Sequence, residues 1–402
     1  MSDPSRRSEQ DDERWMRRAL ALAKRGAGRV SPNPLVGAVV VGSCGEQLGE
    51  GEHRAAGEAH AEVNAIRAAE EAHGTGVLTE ATLYVTLEPC THHGRTPPCT
   101  DLILEKGISR VVVGMADPHP AAAGGIRRLR EAGVAVRTGV LGAACRRQNE
   151  AFAHHVRTGR PLVTLKQAQT LGGQVATATG DSRWITAKPA RRRVHRWRNE
   201  ADAVLVAAGT AADDDPRLTV RDPEPLDEEA PAADRTAAAH QPRRVVLDRT
   251  GRLSATLNLF SDAHAARTTA VVGEARSLPS YAEALRDAGG RLLRAPERAG
   301  HLDLNVLLER LGSPSEENVP LVQSLFVEAG PGLATALIRQ DLVDRYFLFV
   351  APKLLGTGTP AIGALGEEAA PHERIASART FAEHSWETVG PDVLFKGFRR
   401  EV

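Results

Sequence analysis

Three short segments in the first hundred residues carry side chains suited to holding a metal. His60-Ala61-Glu62 falls where a helix is expected to begin, Pro89-Cys90 follows an apolar run, and Cys99 comes shortly after. One imidazole and two thiolates make a three-ligand zinc set, leaving the fourth tetrahedral position for water as in catalytic sites. Zinc lowers the pKa of such a water to roughly 7, which makes hydroxide available at neutral pH. Glu62 is close enough in sequence to His60 to reach that water without ligating the metal, which suits a proton carrier between water and a departing amine. Both cysteines are expected beside helix N-termini, where the dipole favours thiolate. Each signal alone is common, since an HAE tripeptide ordinarily just opens a helix and nearby cysteines can be core residues. Their order and placement give the combination its meaning.

These side chains need a scaffold, and hydrophobic periodicity predicts one. Residues 13–24 read as an amphipathic helix with Trp15, Met16, Ala19, Leu20 and Ala23 on one stripe and Gly26 as a stop. The run LVGAVVV at 35–41 is a buried-strand pattern, and 42–51 reads as a turn-rich connection. A helix at 60–73, a strand at 81–86, a helix at 100–106, a strand at 110–114, a helix at 125–132 and a short strand at 134–136 follow. Strands alternating with helices predict an α/β layered domain. Residues 149–160 read as a helical connector stopped by Pro161. A second α/β series has strands at 162–166, 203–208, 243–247, 269–272, 291–294, 324–328, 345–351 and 393–398, with a helix at 189–198. The stretch 222–241 is rich in Pro, Ala, Asp and Glu without an apolar period, and reads as an exposed loop. Two domains are expected, 13–148 and 160–402.

Composition narrows the function classes. Of 402 residues, 51 are Lys or Arg and 51 are Asp or Glu, so the net charge is zero. Nucleic-acid affinity rests mostly on phosphate neutralisation by excess positive charge, so this balance disfavours a polyanion binder. No apolar run approaches the roughly 18 residues that a membrane helix needs. The leading MSDPSRRSEQDDERW has arginines without an apolar stretch behind them, so no signal peptide is expected. Four cysteines are too sparse for a disulfide-stapled secreted fold. Cys44 and Cys145 read as small apolar filler. A cytoplasmic protein is expected.

Zinc deaminases of nucleobases read H-x-E followed by P-C-x-x-C. Here the longer insert THHGRTPP separates the two cysteines. That loop, within LYVTLEPCTHHGRTPPC, together with SPNPLVGAVVV and HAEVNAI, closely resembles the deaminase domain of the bifunctional riboflavin-biosynthesis deaminase/reductase family, over about residues 13–148. The resemblance implies a cytidine-deaminase-like three-layer domain, with zinc on His60, Cys90 and Cys99, Glu62 as the catalytic acid/base, and Asn33 on the substrate. His92 and His93 are rival ligands, assigned to loop packing or substrate contact because the set is complete without them. Asp117-Pro118-His119-Pro120 resembles the family's DPNP substrate loop, with His119 where Asn is usual.

The second half lacks a G-x-G-x-x-G fingerprint after its first strand. It has instead Glu328-Ala329-Gly330-Pro331-Gly332-Leu333-Ala334-Thr335-Ala336 running from a strand into a helix, a junction that lets backbone N–H groups approach a phosphate. Gly and Pro are also ordinary turn residues. LKQAQTLGGQVATATGDSRWIT, TAADDDPRLTVR and VEAGPGLATALI resemble successive motifs of the same family's reductase domain, over about residues 160–400. That resemblance implies a dihydrofolate-reductase-like α/β fold and NADPH. It assigns Ala168, Trp184, Thr210, Asp214 and Gly330 to Ala336 to the cofactor, and Ser182, Arg198, Leu218, Arg221 and Glu328 to substrate. Arginine suits the substrate's phosphate because its guanidinium is always charged and donates bidentately. Lys166 is a candidate for polarising the sugar oxygen, with a solvated strand-end lysine as the other reading.

One position departs from the family. Where it reads S-L-D-G, this chain reads Thr170-Leu171-Gly172-Gly173, and the carboxylate is lost. The leading expectation is deamination of 2,5-diamino-6-(5-phosphoribosylamino)pyrimidin-4-one followed by NADPH-dependent reduction of its ribosyl to a ribityl chain. The competing one, motivated by Gly172, is a deaminase whose second domain binds nucleotide without reducing. A deaminase of nucleic acid or free nucleosides is disfavoured by the charge balance and the long cysteine loop. The expected partner is a small phosphorylated pyrimidine, with neither nucleic acid nor membrane, in a homo-oligomer.

Overall fold

The apolar runs form two separate sheets. The computed structural model describes residues 9–92, 97–224, 239–313, 320–365 and 374–400. They divide into two compact units, one ending at Thr158 and the other beginning at Gly159.

In the first unit, β1 (Gly37–Val41), β2 (Gln47–Glu52), β3 (Thr82–Leu87), β4 (Arg110–Met115) and β5 (Ala135–Thr138) lie in the order β2-β1-β3-β4-β5. β1 runs antiparallel to β2 and β3, while β3, β4 and β5 are mutually parallel. β1, β3 and β4 are buried at every position, as strands covered on both faces must be. The helix α1 (Glu9–Lys24) buries Trp15, Met16, Ala19, Leu22 and Ala23. It begins earlier than the periodicity predicts because Asp12 is a buried anchor. Its carboxylate accepts from Tyr84 Oη at 2.7 Å, Arg110 Nη2 at 2.7 Å and Arg137 Nη1 at 2.8 Å.

The segment 42–51, read as a connection, contains the strand β2. Its glycines are there for packing. A Cβ at Gly51 would sit 2.5 Å from the Ala65 nitrogen and 2.7 Å from the Ala61 carbonyl oxygen, so only glycine lets α2 (Ala61–His73) lie directly on this strand. That seating fixes the start of α2, where His60 and Glu62 stand. Four short helices complete the unit: α3 (Cys99–Glu105), α4 (Gly125–Glu131), α5 (Gly142–Gln148) and α6 (Glu150–Thr158).

The second unit is built on a nine-stranded sheet. Its strands are β6 (Leu162–Thr170), β7 (Ala203–Ala207), β8 (Arg243–Leu247), β9 (Thr268–Gly273), β10 (Arg291–Ala295), β11 (Ser324–Glu328), β12 (Arg345–Ala351), β13 (Glu383–Val389) and β14 (Asp392–Phe398). The spatial order is β10-β9-β8-β7-β11-β6-β12-β14-β13. The first seven in that order are parallel, and β14 and β13 add antiparallel at one end. Alternation divides the core: Leu325 and Val327 of β11 join one apolar cluster, whereas Phe326 joins the other. There Trp197 of α7 (Lys188–Glu200) lies against Phe326, Phe347 and Phe349. The edge strand β13, EHSWETV, is mostly unburied and so lacks the apolar run by which the other strands are recognised. Most of the loop expected at 222–241 lies outside the described residues.

Candidate active sites

In the first unit the fold brings the three expected ligands together. His60 is the residue before α2, Cys90 lies in the loop after β3, and Cys99 opens α3. His60 Nδ1 is 3.3 Å from Cys99 Sγ and 3.6 Å from Cys90 Sγ. A tetrahedral zinc with bonds of about 2.0–2.1 Å to nitrogen and 2.3 Å to sulfur separates those ligand atoms by roughly 3.6 Å, so the set fits that ion. Only Cys99 sits at a helix N-terminus. Cys90 is fixed differently: its Sγ accepts the Cys99 backbone N–H at 3.4 Å, and its carbonyl accepts from Thr100 Oγ1 at 3.2 Å. Hydrogen bonding from Cys99 is the main cause that lowers the Cys90 thiol to about 4, with His60 adding to it. A thiolate is thereby prepared for a cation.

Glu62 is 3% exposed and stands in the first turn of α2. Burial raises its carboxyl above the ordinary range, and the His60 charge opposes that rise. His92 is exposed and outside the ligand set, and His93 lies outside the described residues. Cys145 is buried, as filler should be, whereas Cys44 is exposed at the turn between β1 and β2.

Asn33 lies beside this cluster. Its Nδ2 is 3.0 Å from His53 Nε2, and the His53 ring meets that of His60 edge-on at 5.6 Å between centroids. The loop carrying Asp117 and His119 is tied down by Glu88, which is 6% exposed. Its two oxygens accept backbone N–H groups from Asp117 at 3.1 Å, Gly124 at 2.9 Å and Ile126 at 2.9 Å. Glu88→Ala leaves these donors unpaired and is expected to cost on the order of 2–3 kcal/mol, read as a lower urea midpoint for unfolding of the first unit. A midpoint within experimental error of wild type would show that water replaces the carboxylate.

In the second unit, Lys166 of β6 and Glu328 of β11 face each other in register. Arg198 of α7 donates from Nε and Nη2 to the two Glu328 oxygens at 2.6 and 3.0 Å, and from Nη1 to the Thr219 carbonyl at 3.0 Å. Lys166 is mid-strand, where burial lowers its pKa, Glu328 opposes the fall and Arg198 adds to it. Partial burial, then Arg198 and Arg217, lower the Arg221 pKa as well. Leu218 is buried in left-handed backbone at φ 52° between the last two. Ser182 and Trp184 flank Arg183 in sequence, whose Nη2 donates to the Asp214 carbonyl at 2.7 Å and to its carboxylate at 3.1 Å. Trp184 is 63% exposed, with the Arg191 guanidinium over its ring.

The helix α8 (Pro331–Arg339) starts at the carboxyl end of β11, and Gly330 is its N-cap. A Cβ on Gly330 would touch Thr210 Oγ1 at 3.4 Å, so these two expected cofactor residues are neighbours. A cavity of about 950 Å³ opens beside α8, lined by Pro331, Gly332, Leu333, Thr335 and Ala336 and by Leu247 at the end of β8. Ala334 is buried beneath it, while Ala168 packs under α7. Open parallel sheets bind ligands outside the carboxyl ends of their strands.

The two halves also match known proteins. Residues 9–115 match the cytidine and deoxycytidylate deaminase zinc-binding region, and residues 161–395 match the RibD C-terminal domain. The riboflavin biosynthesis protein RibD of Escherichia coli strain K12 is 41% identical over 384 residues, covering 95% of this chain and 98% of that protein. Among solved structures, RibD of Acinetobacter baumannii is similar at a TM-score of 0.79 and 32% identity, over 97% of this chain and 99% of that one. A deaminase/reductase of Thermotoga maritima gives a TM-score of 0.79 at 34% identity over the same shares.

The chain belongs to the RibD family. It is a bifunctional enzyme of riboflavin biosynthesis, with a zinc-binding deaminase half and a reductase half that takes a nicotinamide cofactor. Its substrate is a small phosphorylated molecule. The reductase match runs through Gly172, so nothing favours a deaminase alone. No helix among the described residues is long and apolar enough to cross a membrane.

Gly172 lies in the turn after β6, with the Gln174 side chain folded over it. A Cβ there would meet Gln174 Oε1 at 2.6 Å, the far end of a side chain free to swing away. Gln174 meanwhile accepts from Thr170 Oγ1 at 2.9 Å and donates to the Gly172 carbonyl at 2.5 Å, so a neutral amide occupies the space that a side chain at 172 would enter. Gly172→Asp is expected to preserve or raise reductase turnover, with a stability change within about 0.5 kcal/mol. A sharp drop in steady-state turnover would mean the site is organised around the amide.

Two residues beside the sites have no counterpart in the motif reading. His53 is a lone histidine with no ligand spacing. His195, one turn before Arg198, has its pKa lowered to about 4 by burial and then by Arg198 and Arg221.

Proposed function

We propose that His60, Cys90 and Cys99 hold one zinc ion and that Glu62 is the acid/base of hydrolytic deamination of 2,5-diamino-6-(5-phosphoribosylamino)pyrimidin-4-one. The observation that carries this reading is a buried carboxylate with a raised pKa beside three converging soft ligands. When bound, zinc acidifies the water that attacks the ring carbon. Glu62 takes the proton that this water gives up and delivers it to the departing amine nitrogen. Asn33 binds the pyrimidine edge. Residues 13–148 form this domain.

Residues 160–402 form the reductase, with NADPH as its cofactor. NADPH supplies the hydride that reduces the ribosyl carbon C1. The turn Gly330–Ala336, with Ala168, Trp184, Thr210 and Asp214, binds the cofactor. Lys166 polarises the sugar oxygen, and Ser182, Arg198, Leu218, Arg221 and Glu328 surround the substrate. Arg221, crowded by Arg198 and Arg217, suits the phosphate. The chain works as a cytoplasmic homo-oligomer and, at zero net charge, binds neither nucleic acid nor membrane.

Two assays on one purified sample test this reading. Ammonia release from the diaminopyrimidine should require the metal, and a strong chelator should abolish it. NADPH oxidation with deaminated intermediate supplied should survive the same chelation within about twofold, because the metal-ligand group found among the described residues lies in the other half. Robust ammonia release without any NADPH oxidation overturns the second half of the proposal.

A further inference from the structure

His53 is 3% exposed, and its Nδ1 lies 3.1 Å from the Ala59 carbonyl oxygen. A carbonyl only accepts, so Nδ1 carries the ring hydrogen and the neutral ring leaves Nε2 as a lone pair. Nε2 is the atom facing the Asn33 amide at 3.0 Å. A lone pair there admits the NH2 end of the amide and rejects the oxygen. Turning the amide over would set Oδ1 against Nε2 with no proton between them. Asn33 Oδ1 therefore points away from His53, and it has no protein hydrogen-bond partner among the described residues. The backbone closes the arrangement: Ala59, which fixes the His53 tautomer, immediately precedes the ligand His60, and the Asn33 N–H donates to Val30 O at 2.8 Å. The ring contact between His53 and His60 keeps the pair at the edge of the ligand cluster.

We infer that His53 is a positioning residue that locks the Asn33 amide with its carbonyl oxygen toward the deaminase pocket, so that this wall accepts an N–H of the aminopyrimidine and refuses an edge presenting a bare ring nitrogen. The inference rests on the deaminase reading of this site. It assigns specificity to a residue outside the ligand set.

The test uses the full-length zinc-loaded chain and measures kcat, KM and zinc content during ammonia release. His53→Phe removes the acceptor and frees the amide to turn. It should raise KM roughly tenfold, the size of one lost hydrogen bond, with kcat changed less than threefold. His53→Gln, whose Oε1 can accept from Asn33 in place of Nε2, should keep KM within about threefold of wild type. In an Asn33→Ala background, His53→Phe should have no further effect, because nothing remains to orient. A His53→Phe chain that keeps its KM overturns the inference, as does a further tenfold loss on top of Asn33→Ala. Loss of zinc in both His53 variants also overturns it, since the role would then be to support His60. Absence of ammonia release by the wild-type chain would instead remove the deaminase reading and this inference with it.

Discussion

Glu62→Ala is expected to lower ammonia release by 10²–10⁴-fold while the chain still binds one zinc ion, the span that loss of a positioned general acid/base produces. The separation follows from the geometry. The three ligand atoms converge without any contribution from Glu62, so removing its carboxylate leaves the metal donors in place. What disappears is the group proposed to receive a proton from water and return it to the amine. Burial raises the Glu62 carboxyl, which brings its proton affinity nearer the operating pH, where a group that must both accept and donate a proton works best. Alanine also empties a volume under α2, so Glu62→Gln is the matched variant: it keeps shape and polarity but cannot shuttle a proton. Both should lose activity to the same extent, and metal analysis should find equal zinc. If glutamine retains activity, the carboxylate is only an orienting acceptor. If zinc is lost with activity, Glu62 belongs to the ligand set.

How far these sites were readable depends on what each residue acts upon. Zinc chemistry needs soft ligands on successive elements, so His60, Cys90 and Cys99 announce themselves by type and order. The central strands beneath them are equally plain, because β1, β3 and β4 are buried at every position and so are mostly apolar. β2 is hidden because Gly49 and Gly51, which α2 requires for close approach, look like turn residues. β13 is hidden because an antiparallel edge strand exposes half its side chains. His53 and Glu88 escape for another reason. Both act on backbone groups and amides brought near only by folding, and no spacing along the chain records such a contact. Lys166 shows the intermediate case: its type was informative, but a strand-end position was an open reading until the register with Glu328 placed it in the middle of the sheet.

That burial makes Lys166→Met the more revealing substitution in the reductase: NADPH oxidation should fall by about 10²-fold or more, while the folded protein becomes more stable at neutral pH. The cluster holds two cations, Lys166 and Arg198, against one anion, Glu328. Arg198 already satisfies Glu328 bidentately, so the lysine is surplus to the pairing and is charged at the expense of folding. The sign follows from the direction of its pKa. Burial lowers the folded value, so the folded chain binds this proton less tightly than the unfolded one does. Below the folded pKa the penalty is complete, and it fades as pH rises toward the ordinary lysine value of about 10.4. Methionine fills the same volume without charge, so thermal melts should show a midpoint raised by a few degrees at neutral pH, with the gain shrinking as pH rises through the lowered folded value. A protein keeps such a cation where a reacting oxygen needs it. Lower stability in the methionine variant would show that Lys166 is part of the ion pairing that holds the sheet, and unchanged NADPH oxidation would remove it from the chemistry.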